Sequence, residues 1–217
     1  MARPARPGAH EALLEAARAE FARAGLAAAR VEDIARRAGV SKGAFYLQFR
    51  TKDDAFLEIL QRFVGALEAV AQRREEVTRR LWARPATGPA ALRARFEEEG
   101  TLDVELLELL WRHRQLIRAV DGAGGTRGAA LAAGFRRRLR ALTAARIRDR
   151  QAAGQLRPEV EPTVVADVIM GAFEDFGRRM AALREKPDLA GWARAFLDVL
   201  YQGLLTRRSS RPARGSR

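Results

Sequence analysis

Between Phe56 and Val70 the large apolar residues are Phe56, Ile59, Leu60, Phe63, Leu67 and Val70, recurring every three or four positions. That spacing lays one continuous stripe along an α-helix and would scatter over both faces of a strand. The same period recurs earlier, in Leu13, Leu14, Ala17 and Phe21, and no segment holds a convincing apolar–polar alternation. Leu, Ala, Glu and Arg dominate and β-branched residues are sparse, which favours helix along most of the chain. The spacing therefore predicts an all-α protein.

Breakers divide the 217 residues into segments. Residues 1–9 read as a disordered basic arm, and a first helix from His10 meets Gly25, which is placed to end it. A short helix over about Val31 to Ala38 is broken by Gly39; a third follows Ser41 and stops near Phe49. Asp53 and Asp54 then open a long fourth helix, where negative charge suits the dipole. "ARPATGPA" (83–90) and "DGAGGTRG" (121–128) read as loops. The pattern predicts further helices over Ala91–Glu99, Leu102–Val120, Ala129–Ala153, Thr163–Arg184 and Leu189–Leu205, with Gly171 and Gly177 interrupting one of them. Residues 206–217 read as a disordered basic tail.

Composition narrows the function. There is no cysteine, and the two histidines, His10 and His113, are far apart, so a metal site or a nucleophilic triad has little to be built from. We expect no enzyme, no catalytic residue, no metal and no cofactor. No apolar run is long enough to cross a bilayer and the N-terminus has no signal-peptide core, so a cytoplasmic location is expected and no membrane partner. The net charge of +13 suggests an anionic partner, but residues 1–60 hold only 10 Lys/Arg against 8 Asp/Glu. Most of the surplus lies later, including the stripe Arg136, Arg137, Arg138, Arg140, Arg146, Arg148 and Arg150. That stripe reads as solvated surface, with acidic ligands or nonspecific DNA as its alternative use; Glu97, Glu98 and Glu99 read as a solvated face.

The segment "GVSKGAFYLQFRTKDD" (39–54) is chemically unusual. With Ser41 as origin and about 100° per residue, Phe45 falls at about 40° and Phe49 at about 80°, while Lys42, Gly43, Tyr46 and Leu47 fill the arc from about 100° to about 240°. Ser41 is a good N-cap, and Val40 with Phe45 fits a hydrophobic staple. One side of this helix is thus pinned by two phenyl rings. The other carries an ammonium, bare backbone, a phenol and an apolar group, a mixture suited to a DNA groove. Lys42 and Tyr46 can reach phosphates, Gly43 permits close approach, and Leu47 can meet a thymine methyl. Gly43 costs about 1 kcal/mol of helix stability relative to alanine. Two short helices joined through a glycine turn, over about 30–49, form a helix-turn-helix, the plain alternative being a three-helix bundle with a solvated third helix.

Residues 10–65, above all "VEDIARRAGVSKGAFYLQFRTKDDAFLEIL", resemble the DNA-binding head of the tetracycline-repressor (TetR) family. The demanding part is "AGVSKGxxYxxFxxK", here Ala38 through Lys52. The resemblance implies about nine helices: a DNA-binding head over 10–55 and a larger effector-binding and dimerisation domain over 56–205. It implies a dimeric regulator, usually a repressor released from DNA by a small molecule. Ser41, Lys42, Gly43, Tyr46 and Lys52 occupy positions that family members use at DNA, and Ala44, Leu47 and Gln48 positions where sequence preference varies. Two departures stand out. Arg30 and Val31 replace the Ser or Thr that often opens the second helix, and Glu32 stands where a basic residue can read DNA; Arg30, Arg36 and Arg37 are the candidates to compensate.

A single head covers one half-site, so a palindromic operator in double-stranded DNA requires two heads about 34–36 Å apart, hence a homodimer. Val164, Val168, Ala172, Trp192, Phe196, Val199, Leu200 and Leu204 are the expected interface, unless they fill the monomer's own core. An apolar effector pocket is expected from Phe96, Leu106, Leu110, Trp111, His113, Phe135, Met170, Phe173 and Glu174, each weighed against ordinary core packing. The competing reading is a DNA-associated helical adaptor with no small-molecule switch.

Overall fold

The computed structural model describes residues 8–83, 89–121 and 127–204. Among them lie nine helices: α1 (Ala9–Ala28), α2 (Val31–Arg37), α3 (Lys42–Gln48), α4 (Lys52–Trp82), α5 (Pro89–Arg112), α6 (Arg114–Asp121), α7 (Arg127–Ala152), α8 (Pro162–Ala182) and α9 (Leu189–Leu204). The chain is all-α, as its apolar period predicts. The expected arm and tail lie largely outside the described residues, and Ala9 already begins α1.

The head is built on α1. Leu13, Leu14, Ala17 and Phe21 are buried, as their spacing requires, against Ile34 of α2, Phe45 of α3 and Phe56 of α4. Phe21 meets Phe56 edge to face with ring centroids 5.5 Å apart. Gly25 interrupts α1 where its sequence position places the stop: its φ of 75° leaves helical geometry, and one further turn follows before Ala29. The α1–α4 junction is clamped by charge. Arg62 donates to both oxygens of Glu11, at 2.7 and 2.8 Å, and to Glu58 at 2.9 Å.

The remaining helices continue the same core. One buried cluster runs from Leu13 through Leu60, Phe63, Leu107 and Leu116 to Phe173, Met180 and Ala193; a smaller one joins Ile147, Leu156 and Val165. Two expected breaks are absent. The helix α5 runs straight through Gly100, where a Cβ would stand 2.5 Å from Leu197 Cδ1, so this glycine serves the close crossing of α9. Likewise α8 runs through Gly171 and Gly177, and Gly177 is buried against Ile117 of α6. The chain turns instead at His113, where neither proline nor glycine marks the place. Its imidazole stacks on Phe63 with centroids 4.8 Å apart, and its Nδ1 lies 2.6 Å from Arg18 Nη2. Those two contacts, from α4 and α1, hold the corner between α5 and α6.

Candidate functional site

The outward face of α3 is fixed from behind. Phe45 is fully buried, Phe49 nearly so, and their rings lie 5.4 Å apart. Burying a side chain of that size stabilises by about 1.5–3 kcal/mol. Ser41 caps the helix by accepting from the Ala44 N–H at 3.1 Å, worth about 1 kcal/mol. Gly39, at φ 69°, makes the turn out of α2 in a conformation that disfavours a side chain. What remains faces solvent: Tyr46 is 49 % and Leu47 67 % exposed, with Lys42 and Gly43 beside them. At Gly43 an added Cβ would meet nothing nearer than Ser41 Oγ at 3.8 Å, so no neighbour among the described residues requires the glycine.

Glu32 sits among the cations of this face. Its Oε1 accepts from Lys42 Nζ at 2.5 Å and its Oε2 lies 3.9 Å from Arg30 Nε. The Lys42 hydrogen bond, followed by one to its own backbone, holds the Glu32 carboxyl below the ordinary range. The acid therefore orients two exposed basic side chains across the α2–α3 junction.

Two residues expected at DNA have partners inside the head. Lys52 Nζ donates to the carbonyls of Ala27 at 2.7 Å and Ala29 at 3.0 Å, closing the end of α1 onto the start of α4. Gln48 Oε1 lies 3.1 Å from His10 Nδ1, while His10 Nε2 lies 2.8 Å from Glu58. Lys52 thus ties α4 to the end of α1, and Gln48 ties α3 to the start of α1. His10 and Glu58, which sequence reasoning did not single out, tie α1, α3 and α4 together; the only sequence signal was a histidine at the first turn of a helix. The Glu58 hydrogen bond raises the His10 pKa.

The second constellation lies in the helical remainder. A cavity of about 160 Å³ is walled by Leu60, Phe63, Leu67, Phe135 and Phe173 among others. Of the expected pocket residues, Leu106, Leu110, Phe135, Met170, Phe173 and Glu174 line it together. Trp111 does not: Arg114 stacks on its ring, 3.9 Å from the centroid. His113 is the corner residue of α5 and α6 and lies outside the lining, and the Phe96 side chain lies outside the described ones.

A second chamber of about 140 Å³ shares Leu67, Leu106, Leu139, Met170 and Phe173 with the first, and it ends among charges. Glu99 and Asp103, each 2 % exposed, stand there with Arg74, Arg146 and Arg150. Glu99 Oε1 accepts from Thr78 at 2.9 Å, from Trp82 Nε1 at 2.8 Å and from Arg150, and Asp103 pairs with Arg74. Burial pushes the Asp103 carboxyl up, against the pull of Arg74. The expectation of a solvated Glu99 is thus corrected, as is that of a uniformly solvated arginine stripe: Arg137, Arg138 and Arg148 are exposed, while Arg146 and Arg150 turn inward. The signal was present in the four-residue spacing of Glu99 with Asp103 and of Arg146 with Arg150, which sets each pair on one helix face.

The expected dimer residues divide. Val164 and Val168 are each 58 % exposed and Val199 is 77 % exposed. Ala172 is half-buried. Trp192 is half-buried under Arg179 and beside Phe176, while Phe196 and Leu200 line the charged chamber; these three pack within the chain. The Leu204 side chain lies outside the described ones. No described helix is long and apolar enough to cross a membrane, and no group of three His, Asp or Glu among the described residues is placed to hold a metal.

In this all-α chain, α2 and a capped α3 that stands outward over a glycine turn have the form of a helix-turn-helix. The model of the tetR family of bacterial regulatory proteins matches residues 13–59 of this chain. Over 45 residues the chain is 42 % identical to the uncharacterized HTH-type transcriptional regulator YerO of Bacillus subtilis (strain 168); the match takes in 21 % of this chain and spans 16 % of YerO. The whole fold is similar to that of the ketosteroid transcriptional regulator KstR2 of Mycobacterium tuberculosis, with a TM-score of 0.68 at 19 % identity, covering 91 % of this chain and 95 % of that one. It is similar also to SmeT in its complex with triclosan, with a TM-score of 0.66 at 20 % identity, covering 95 % and 96 %.

Proposed function

We propose that the protein is a homodimeric repressor that reads a palindromic operator with α3 and leaves it when a mostly apolar small molecule fills the cavity beside α4. The observation that carries this reading is the outward set Lys42, Gly43, Tyr46 and Leu47 on a helix pinned by Phe45 and Phe49. Lys42, Arg30 and Tyr46 would engage phosphates, and Gly43 with Ala44 and Leu47 would meet base edges.

Coupling to the cavity runs through α4. That helix begins three residues after Phe49 and supplies Leu60, Phe63, Val64 and Leu67 to the cavity wall. Phe63 also stacks on His113, which accepts from Arg18 of the head. A ligand that fits the cavity with α4 displaced would favour that arrangement and change the separation of the two heads. A ligand that fits both arrangements equally would release nothing. The triclosan complex of a protein with a similar fold supports an apolar occupant.

The test is fluorescence anisotropy on an inverted repeat taken from the DNA beside the gene, at several salt concentrations. Specific binding at least about a thousandfold tighter than to random DNA is expected. Lys42→Ala should weaken both and reduce the salt slope by about 1. Tyr46→Ala and Gly43→Val should abolish operator binding with the helical content unchanged. An operator-to-random ratio near one, or retention of binding by Tyr46→Ala, would refute the proposed reading face.

A further inference from the structure

We propose that the effector is an amphipathic monocarboxylate, its carboxylate received by Arg146 and Arg150 at the charged end and its apolar tail lying along the chamber walled by Phe63, Phe135 and Phe173. This rests on the reading of the cavity as an effector site and adds the chemistry of its occupant.

At the charged end, a single oxygen of Glu99 already accepts from Thr78, Trp82 and Arg150, and Asp103 is taken by Arg74. Arg146 Nε and Arg150 Nε are buried, line this chamber and have no hydrogen-bond acceptor among the described residues. Glu75 Oε2 lies 3.0 Å from Arg146 Nε without making a hydrogen bond to it, on a side chain that is 46 % exposed. Buried N–H donors left without acceptors cost stability, so the site is short of acceptors and an occupant that supplies them is favoured. Charge permits the same occupant: Arg74 and Arg150 pair with the buried Asp103 and Glu99, whereas the ion-pair partner of Arg146, Glu75, is 46 % exposed. A carboxylate brings two acceptor oxygens and one negative charge, and its planar shape matches guanidinium donors. An alcohol or ester brings acceptors without the charge.

The other end sets the orientation. Glu174 lines the apolar chamber with Oε1 buried, 3.6 Å from Arg140 Nη2 and 3.9 Å from Arg136 Nε. A carboxylate there would face an existing one, whereas a hydrocarbon tail meets the rings of Phe63, Phe135 and Phe173. One head and one tail therefore fit in a single direction.

Isothermal titration of the full-length protein with octanoate, methyl octanoate and octanol, below micelle-forming concentrations, tests the assignment. Octanoate is expected to bind at least about tenfold more tightly than the other two. Arg146→Met and Arg150→Met should bring octanoate down to the level of the ester and leave the ester unchanged. Equal binding of all three by the unaltered protein would overturn the carboxylate assignment and leave an apolar effector site standing. Preference for octanoate surviving in both variants would overturn the assignment to these arginines. No binding of any of the three would overturn the occupant and the cavity reading together, while operator binding, measured separately, would still report on the head.

Discussion

His113 shows how one imidazole can hold a corner that the local sequence does not mark. Because a guanidinium can only donate, Arg18 requires an unprotonated Nδ1, so the ring is neutral with its proton on Nε2. Burial first, then the charges of Arg18 and Arg112, bring its pKa down to about 4. The sign follows from linkage. A histidine with a depressed folded pKa binds fewer protons folded than unfolded, so its contribution is full above 6.5 and is lost as pH falls toward about 4. His10, raised by Glu58, works the other way: its contribution is full below 6.5 and is lost as pH rises through its folded value. The unfolding midpoint should therefore fall between pH 6.5 and 4, and His113→Phe, which keeps the stack on Phe63, should flatten that fall while lowering stability at pH 7. Denaturant titrations across the range check it, and an unchanged acid slope in the variant would assign the effect elsewhere.

Among elements, a tight contact lies between α4 and the start of α7. Gly128, the second residue of α7, is buried where a Cβ would stand 2.8 Å from Phe56 Cε1 and 3.3 Å from Leu60 Cδ2. Phe56 is held by Phe21 of the head, so it cannot swing aside freely. Gly128→Ala should destabilise by about 1–3 kcal/mol through overpacking, read as a lower denaturant midpoint with the slope unchanged. A midpoint equal to that of the unaltered protein would mean that α7 shifts along α4 without cost. The period-3.6 stripes made both helices legible in the sequence. Gly128 was not legible as a contact, because a glycine at the edge of a Gly-rich stretch reads as a loop until its neighbour in space is known.

For the whole molecule, symmetry is the proposed means by which a seven-residue α3 reaches a useful affinity. Val164 and Val168, one turn apart on α8, and Val199 on α9 present exposed apolar groups among the described residues. We expect Val168→Glu combined with Val199→Glu to convert a dimer to a monomer in sedimentation and to weaken operator binding, with helical content preserved. A double variant that sediments as the unaltered protein does would place the interface elsewhere.

The apolar period by itself determined that this chain is helical, and the run from Ala38 to Lys52 determined its head, because cap, staple, glycine turn and buried rings are all local in sequence. Tertiary structure alone decided where α5 ends, since two distant helices hold His113. It alone decided which arginines turn inward: the four-residue spacing sets Arg146 and Arg150 on one face of α7, but a guanidinium turns inward only where carboxylates from other helices arrive to meet it. Periodicity assigns each residue a side, and the side becomes interior or surface only when a second element packs against it.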